Sequence, residues 1–113
     1  MFQEVNYVSA EKALTVIQSN QRLFIHGGAC TPHYLLRELA KQKDRLQNVE
    51  LVSVSLQGDI VVDRPEYAGI FHINSLFVSE PVRQAVNEGR ADFIPVFLSD
   101  IPDLFKKNIL ELD

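Results

Sequence analysis

The sequence has one cysteine, Cys30, among 113 residues, so it can form no internal disulfide. Disulfides are rare in reducing compartments, where an unpaired cysteine is the usual pattern. The first residues, Met1-Phe2-Gln3-Glu4-Val5-Asn6, lack the basic region and long apolar run that are typical of a secretory signal. These absences predict a reducing, cytoplasmic location.

An excess of basic residues and long apolar runs are also missing. Lys plus Arg is 11 against 15 for Asp plus Glu, which gives a net charge of −4, and the basic residues form no stripe. Nucleic acids and anionic membranes bind clustered positive charge, so neither is the expected partner. The apolar runs are also far shorter than the roughly 20 residues that cross a bilayer.

Enough apolar residues are present to build a core, since they make up 46% of a chain whose length suits one domain. Short runs rich in valine or aromatic residues predict strands over 23–25, 49–56, 71–78 and 91–98. Apolar spacing and capping residues predict helices over 10–19 after Ser9, from Thr31-Pro32 with Leu35 and Leu36 facing inward, from Ser79-Glu80-Pro81, and after Ser99 or Asp100.

This alternation of strands and helices predicts a single α/β domain over residues 1–113, with a mostly parallel sheet flanked by helices. Pro95 should shorten the last strand or place it at an edge, and residues 59–70 give no clear pattern beyond a loop at 63–66. Ile109 to Asp113 reads as the start of another strand. That ending predicts that the chain is part of a longer one.

The best candidate site is the glycine turn, His26-Gly27-Gly28-Ala29-Cys30-Thr31-Pro32, which leaves a predicted strand and enters a predicted helix. Ligands of parallel sheets collect at the carboxyl ends of strands, and glycines allow the backbone to approach a ligand. The turn matches neither the G-x-G-x-x-G dinucleotide pattern nor a P-loop. On spacing alone a plain tight turn is the favoured interpretation, with substrate binding at Gly27, Gly28, Ala29 and Thr31 as the alternative.

Cys30 and His33 could form a thiolate and base pair, but adjacency in sequence is weak support, and a small buried thiol is expected instead. Together with His26 they are too loosely spaced to predict a metal site. The acidic residues are scattered, and none stands out as catalytic. The sequence thus predicts no metal and no catalytic residue.

Four segments carry a family resemblance: Ser9 to Ile17, Gly27 to Pro32 followed by Leu35-Leu36, Asn87 to Pro95, and Leu98 to Leu104. The last two are the more specific, because a Gly-Arg-Ala step followed by an aromatic residue and a proline is uncommon in α/β domains. Together the segments resemble the N-terminal part of the acetyl-CoA hydrolase/transferase family, which includes 4-hydroxybutyrate CoA-transferases.

The resemblance implies an enzyme that moves CoA between an acyl-CoA and a short carboxylate, or hydrolyses acetyl-CoA. Its chemistry passes through a glutamate, first as an acyl anhydride and then as a glutamyl-CoA thioester. The CoA thioester is then a substrate, and no tightly bound cofactor is implied. The family's glutamate lies in the C-terminal half of a longer chain, and no position here matches it.

We therefore expect an N-terminal piece of a CoA-transferase that is inactive alone, with the Gly27-to-Thr31 turn at the acyl or CoA site. The resemblance leaves a homodimer open. The alternatives are a non-catalytic α/β ligand-binding or assembly module and, third, a small thiol enzyme that uses Cys30.

Overall fold

A computed structural model describes residues 4–113. Its centre is a four-stranded sheet in which every neighbouring pair is parallel and the strand order follows the sequence. The strands are β1 (Arg22–Ile25), β2 (Val49–Val54), β3 (Phe71–Phe77) and β4 (Ala91–Phe93). The predicted α/β class with a parallel sheet is confirmed.

Two helices pack on one face of this sheet. They are α2 (His33–Ala40), which joins β1 to β2, and α3 (Glu80–Asn87), which joins β3 to β4. Sequential parallel strands linked by crossovers of one hand place their helices on the same side. The main core lies there, and its most buried members include Leu39, Val49, Leu51, Ile73 and Val82.

A smaller core lies on the other face, where α4 (Ile101–Lys106) packs. Val52 and Leu76 from the sheet meet Ile101 and Leu110 there. Both faces are thus covered in part. None of the helices within residues 4–113 has the length and apolar character needed to cross a membrane.

Several predicted elements are shorter than the pattern suggested. The first helix is α1 (Ala10–Ala13) followed by a 3₁₀ turn over Leu14–Val16, instead of a helix over 10–19. The strand predicted over 91–98 ends at Phe93, two residues before Pro95, whose missing N–H could not extend a ladder. β2 and β3 are joined by irregular chain with only a 3₁₀ turn at Pro65–Tyr67, so helices and strands do not alternate there.

Three further predictions, about two element ends and one inward-facing residue, are also wrong. Helix α2 begins at His33, so Pro32 takes the N-cap position that was predicted for Thr31. Leu35, predicted to face inward, is exposed, while Leu36 is buried. Ile109 to Asp113 forms no strand; instead Asp113 exchanges two hydrogen bonds with the backbone of Arg22, at 2.8 and 3.0 Å.

Candidate functional site

Gly27 lies two residues after the end of β1, against the backbone at the end of β2. A Cβ atom added at Gly27 would stand 1.9 Å from the carbonyl oxygen of Val54 and 2.9 Å from that of Ser55. Its own φ of −107° is ordinary, so the requirement for glycine comes from this close approach. The predicted turn therefore lies at the carboxyl ends of β1 and β2, where the segments that follow the two strands come into contact.

Gly28 favours glycine for another reason, because its φ is +60°, in the left-handed region. The space that a Cβ atom would occupy is open, with no atom within 4 Å. The N–H of Gly28 donates to the Ser55 carbonyl oxygen at 2.9 Å. The amides of Cys30 and Thr31 donate within the turn, to Gly27 and Gly28. Among residues 4–113, the amide of Ala29 donates to no backbone or side-chain acceptor, and the residue as a whole is exposed.

Thr31 joins the turn to the segment after β2, here called the β2 loop (Ser55 to Asp59). Its side chain is 7% exposed and its hydroxyl donates to the Gly28 carbonyl oxygen at 2.7 Å. The Thr31 hydroxyl oxygen also accepts the backbone N–H of Gln57, at 3.2 Å. Because both hydrogen bonds point inward, Thr31 shapes the turn and its hydroxyl does not face solvent.

The β2 loop is also held from two further sides. The hydroxyl of Ser79, in the connection after β3, is buried and donates to the Leu56 carbonyl oxygen. The Nδ1 atom of His33 lies 3.3 Å from the Asp59 carbonyl oxygen, and its ring lies beside Gly58, whose φ is +73°. The connections after β1, β2 and β3 therefore form one hydrogen-bonded rim at the carboxyl end of the sheet.

Cys30 is exposed on this rim, which corrects the expectation of a small buried thiol. It lies in the 3₁₀ turn Gly28–Cys30, which begins at Gly28 with a φ of +60°. The Nδ1 atom of His33 contacts the Asp59 carbonyl oxygen, so the imidazole ring is oriented toward the β2 loop. In the part of the chain that the structure describes, no three His, Cys, Asp or Glu side chains lie close enough to share a metal ion.

Two carboxylates outside the rim have shifted pKa values. Partial burial raises the pKa of Asp63 above its usual range. Hydrogen bonds from Gln84 and then Arg90 lower the pKa of Glu88, which is on the surface. Neither lies on the rim, and each shift has a local cause.

Residues 3–111 match the family described as the acetyl-CoA hydrolase/transferase N-terminal domain. The chain belongs to that family. The match spans the glycine turn, the β2 loop and the Asn87-to-Pro95 segment on which the resemblance was based.

Two relatives in this family have names that state an activity. A succinyl-CoA:acetate/propanoyl-CoA:succinate CoA transferase of Fasciola hepatica is 35% identical over 107 residues, which cover 93% of this chain and 22% of the relative. A 4-hydroxybutyrate coenzyme A transferase of Clostridium kluyveri is 35% identical over 106 residues, covering 94% of this chain and 25% of the relative. The chain thus spans about a quarter of the length of these relatives.

Solved structures agree on the fold. RipA from Yersinia pestis superposes with a TM-score of 0.75 at 21% identity, covering 90% of this chain and 26% of RipA. One RipA mutant structure superposes with a TM-score of 0.79 over the same shares. At this identity the likeness concerns the backbone arrangement alone.

The Gly-Arg-Ala step of the family resemblance has a structural role here. Gly89 follows α3 with φ +73°, and the Arg90 N–H then donates to the Ala85 carbonyl oxygen at 2.8 Å. The Arg90 guanidinium binds the Asp63 carbonyl oxygen and the Glu88 carboxylate. The motif therefore closes α3 and anchors the irregular chain between β2 and β3.

Sequence reasoning missed the β2 loop as a part of the site. No site residue was predicted in this loop, yet Ser55 and Gln57 are hydrogen-bonded to the glycine turn, and the Asp59 carbonyl contacts His33 at the start of α2. One signal was available, because parallel strands end at the same edge of a sheet, and the segment after each strand should share that edge.

Proposed function

We propose that this chain is the N-terminal domain of an acyl-CoA:carboxylate CoA-transferase or an acetyl-CoA hydrolase. The observation that carries this proposal is the family match over residues 3–111, whose glycine turn lies at the carboxyl edge of a parallel sheet. The two relatives named as CoA transferases support transfer as the reaction. The proposed substrates are an acyl-CoA and a short carboxylate, with no tightly bound cofactor.

Within this domain, Gly27, Gly28 and Ala29 are the proposed contacts to the thioester. Gly28 leaves open space on its outer side, and the Ala29 amide, which has no acceptor among the described residues, can donate to a carbonyl oxygen. A fixed backbone donor aimed at a developing oxyanion is a common way to stabilise acyl transfer. Thr31 belongs to the same proposed site, with its hydroxyl fixing the shape of the turn.

The glutamate that forms the acyl anhydride is proposed to lie outside these 113 residues. Among the described residues, no carboxylate is hydrogen-bonded to the glycine turn. The chain also spans only about a quarter of the relatives' length. A cytoplasmic location is part of the proposal, supported by the single cysteine, and the net charge of −4 supports a small-molecule partner over nucleic acid.

The proposal is tested by titrating the ¹⁵N-labelled 113-residue protein with acetyl-CoA and recording backbone amide shifts. We expect shifts at Gly27 to Thr31, and a new acyl-CoA product only from a polypeptide of full family length. The 113-residue chain should give no product when acetyl-CoA is mixed with short carboxylates. Steady turnover by this chain alone would show that a catalytic group lies within it.

Failure of acetyl-CoA to shift any rim amide would favour the non-catalytic module. Exposed apolar side chains near β4, including Phe93 and Phe97, give that alternative some support as an assembly surface. Sedimentation of the same sample measures self-association and so tests the homodimer that the sequence left open.

A further inference from the structure

Val61 has a backbone conformation that a β-branched residue rarely adopts. Its φ is +65°, in the left-handed region. The N–H of Val62 donates to the Ile60 carbonyl oxygen at 2.6 Å, so these three residues form a γ-turn centred on Val61. A γ-turn whose central residue has a positive φ is rare and strained. Strain of this kind persists only where the surroundings fix the backbone, and it clusters at functional sites.

Two kinds of contact hold this γ-turn. Ile60 and Val62, on either side of Val61, are 1% and 2% exposed in the main core, so both side chains are anchored by packing. Asp59 supplies the polar contacts: one carboxylate oxygen accepts the Val61 N–H at 3.1 Å, and the other pairs with the Arg64 guanidinium at 2.9 Å. The Arg64 N–H donates to the Val61 carbonyl oxygen at 3.2 Å. We call these contacts of Asp59 and Arg64 the clasp.

Asp59 also ends the β2 loop, whose other contacts reach the glycine turn. Its carbonyl oxygen lies 3.3 Å from the Nδ1 atom of His33, and because a carbonyl oxygen only accepts, that nitrogen carries the proton. The His33 backbone N–H donates to the Thr31 carbonyl oxygen at 2.9 Å. The Thr31 hydroxyl accepts the N–H of Gln57, which lies in the same loop as Asp59. A displacement of Asp59 therefore reaches Thr31 both through His33 and through the β2 loop.

These contacts form one continuous path from a strained turn to the proposed site. We propose that Asp59 is a positioning residue: its carboxylate holds the γ-turn at Val61, which fixes the β2 loop and hence the glycine turn in the conformation that binds the ligand. An exposed ion pair alone contributes little, and the Asp59 and Arg64 side chains are 69% and 48% exposed. The carboxylate is effective because it also binds the Val61 N–H, within the strained turn. The effect on ligand binding rests on the proposed function, whereas the effect on the γ-turn does not.

Asp59→Ala tests the clasp without any ligand, because it removes both carboxylate oxygens and keeps the carbonyl group that contacts His33. In the ¹⁵N-labelled 113-residue protein, we expect this change to shift the amides of Gln57 and Gly28. It should also remove the strong intraresidue HN–Hα Overhauser effect that marks a positive φ at Val61.

The same variant tests the positioning role when acetyl-CoA is added. Calorimetric titration, below the melting transition of each variant, should show acetyl-CoA bound about fivefold to tenfold more weakly by Asp59→Ala, the equivalent of about one hydrogen bond lost between the turn and the ligand. Asp103→Ala is the matched control, because it breaks another exposed ion pair, with Lys107 on α4. It should change neither the affinity nor the γ-turn.

Val61→Gly separates positioning from a general loss of stability. Glycine adopts a positive φ without strain, so the γ-turn no longer needs the clasp. In the Asp59→Ala background, Val61→Gly should restore the affinity for acetyl-CoA to near the wild-type value. The melting temperature should not recover, because the partly buried valine side chain is lost. A merely structural role would instead give affinities that follow the melting temperatures.

The outcomes separate this inference from the proposed function. Unchanged ligand-free spectra of Asp59→Ala would overturn the clasp. A disturbed γ-turn with unchanged acetyl-CoA affinity, or a lost affinity that Val61→Gly does not restore, would overturn the positioning role and leave the proposed function standing. Absence of acetyl-CoA binding by the wild type would overturn the proposed function and the ligand part of this inference. The coupling of Asp59 to the amides of Gln57 and Gly28 would still stand or fall on the ligand-free spectra.

Discussion

Gly27 and Val54 approach so closely that a Cβ on Gly27 would stand 1.9 Å from the Val54 carbonyl oxygen. The contact joins the end of β1 to the end of β2 and involves backbone on both sides, so neither partner can rotate away. Gly27 is therefore required for the fold, whatever Gly28 contributes to a site.

Gly27→Ala should therefore destabilise the domain. Overpacking against a rigid neighbour costs typically about 1–3 kcal/mol, and each kcal/mol lowers the melting temperature of a small domain by roughly 4–8 °C. Thermal unfolding followed by circular dichroism measures the change. Gly89→Ala is a control with nothing within 4 Å of the added Cβ, so its loss should reflect only the positive φ of +73°. Equal melting temperatures for the wild type and Gly27→Ala would contradict the close approach.

Gly28 calls for a different substitution, since its φ is +60° and its outer side is open. Gly28→Val is poorly suited to test the site, because a β-branched residue is strained at this φ and would lose stability along with any binding. Asparagine tolerates the left-handed region, so Gly28→Asn should melt within a few degrees of the wild type.

If the turn contacts the thioester, Gly28→Asn should still weaken acetyl-CoA binding about tenfold or more, because its side chain fills the space beside the Ala29 amide. Calorimetric titration of the wild type and the variant measures this loss. An unchanged affinity with a normal melt would remove the turn from the site and leave the plain tight turn.

The sequence alone was sufficient to predict the parallel sheet, but it did not predict the hydrogen-bonded rim at the carboxyl end of that sheet. The strands β2 and β3 were predicted within two residues of their ends, because valine-rich and alternating runs mark buried strands. The length of β4 did not follow from the apolar run, since Phe93 to Leu98 stays apolar after the ladder has ended. Pro95 did predict that the strand ends early or lies at an edge, and β4 does both.

Only the part of the candidate site that is continuous in sequence could be predicted. Gly27 to Thr31 follows β1 directly, so pattern and position were enough to place it. The hydrogen bond from Gln57 to Thr31 and the contact of His33 with Asp59 each join residues 26 apart. Such contacts depend on strand order and on which face each helix covers, which a single sequence does not specify.

Cys30 is predicted not to be a nucleophile, although its thiol is exposed. In a polypeptide of full family length, Cys30→Ala should keep CoA transfer within a few-fold, because the proposed chemistry uses a carboxylate. Thiol alkylation of the wild type should have equally little effect, apart from any steric block beside Ala29. A loss of about 10³-fold or more in Cys30→Ala, as expected on removing a nucleophile, would instead support the thiol enzyme.

Asp63 should make the stability of the domain depend on pH. Its pKa is raised in the folded state, chiefly by partial burial, so the folded protein binds a proton there more tightly than the unfolded chain does. The sign follows from linkage: this contribution is fully present below the unfolded pKa, near 4, and is lost as pH rises through the higher folded value. Asp63 therefore destabilises the fold at neutral pH.

Asp63→Asn removes this titration and keeps the shape of the side chain. The backbone carbonyl of Asp63, which accepts from Arg90, is retained in the variant. Urea unfolding at several pH values between 4 and 7 should show the variant gaining stability over the wild type as pH rises. Asp44→Asn, at an exposed carboxyl group in the 3₁₀ turn after α2, is the matched surface control. If the free energies of unfolding of the wild type and Asp63→Asn differ by the same amount at every pH, the raised pKa of Asp63 is contradicted. The difference in stability then comes from packing alone.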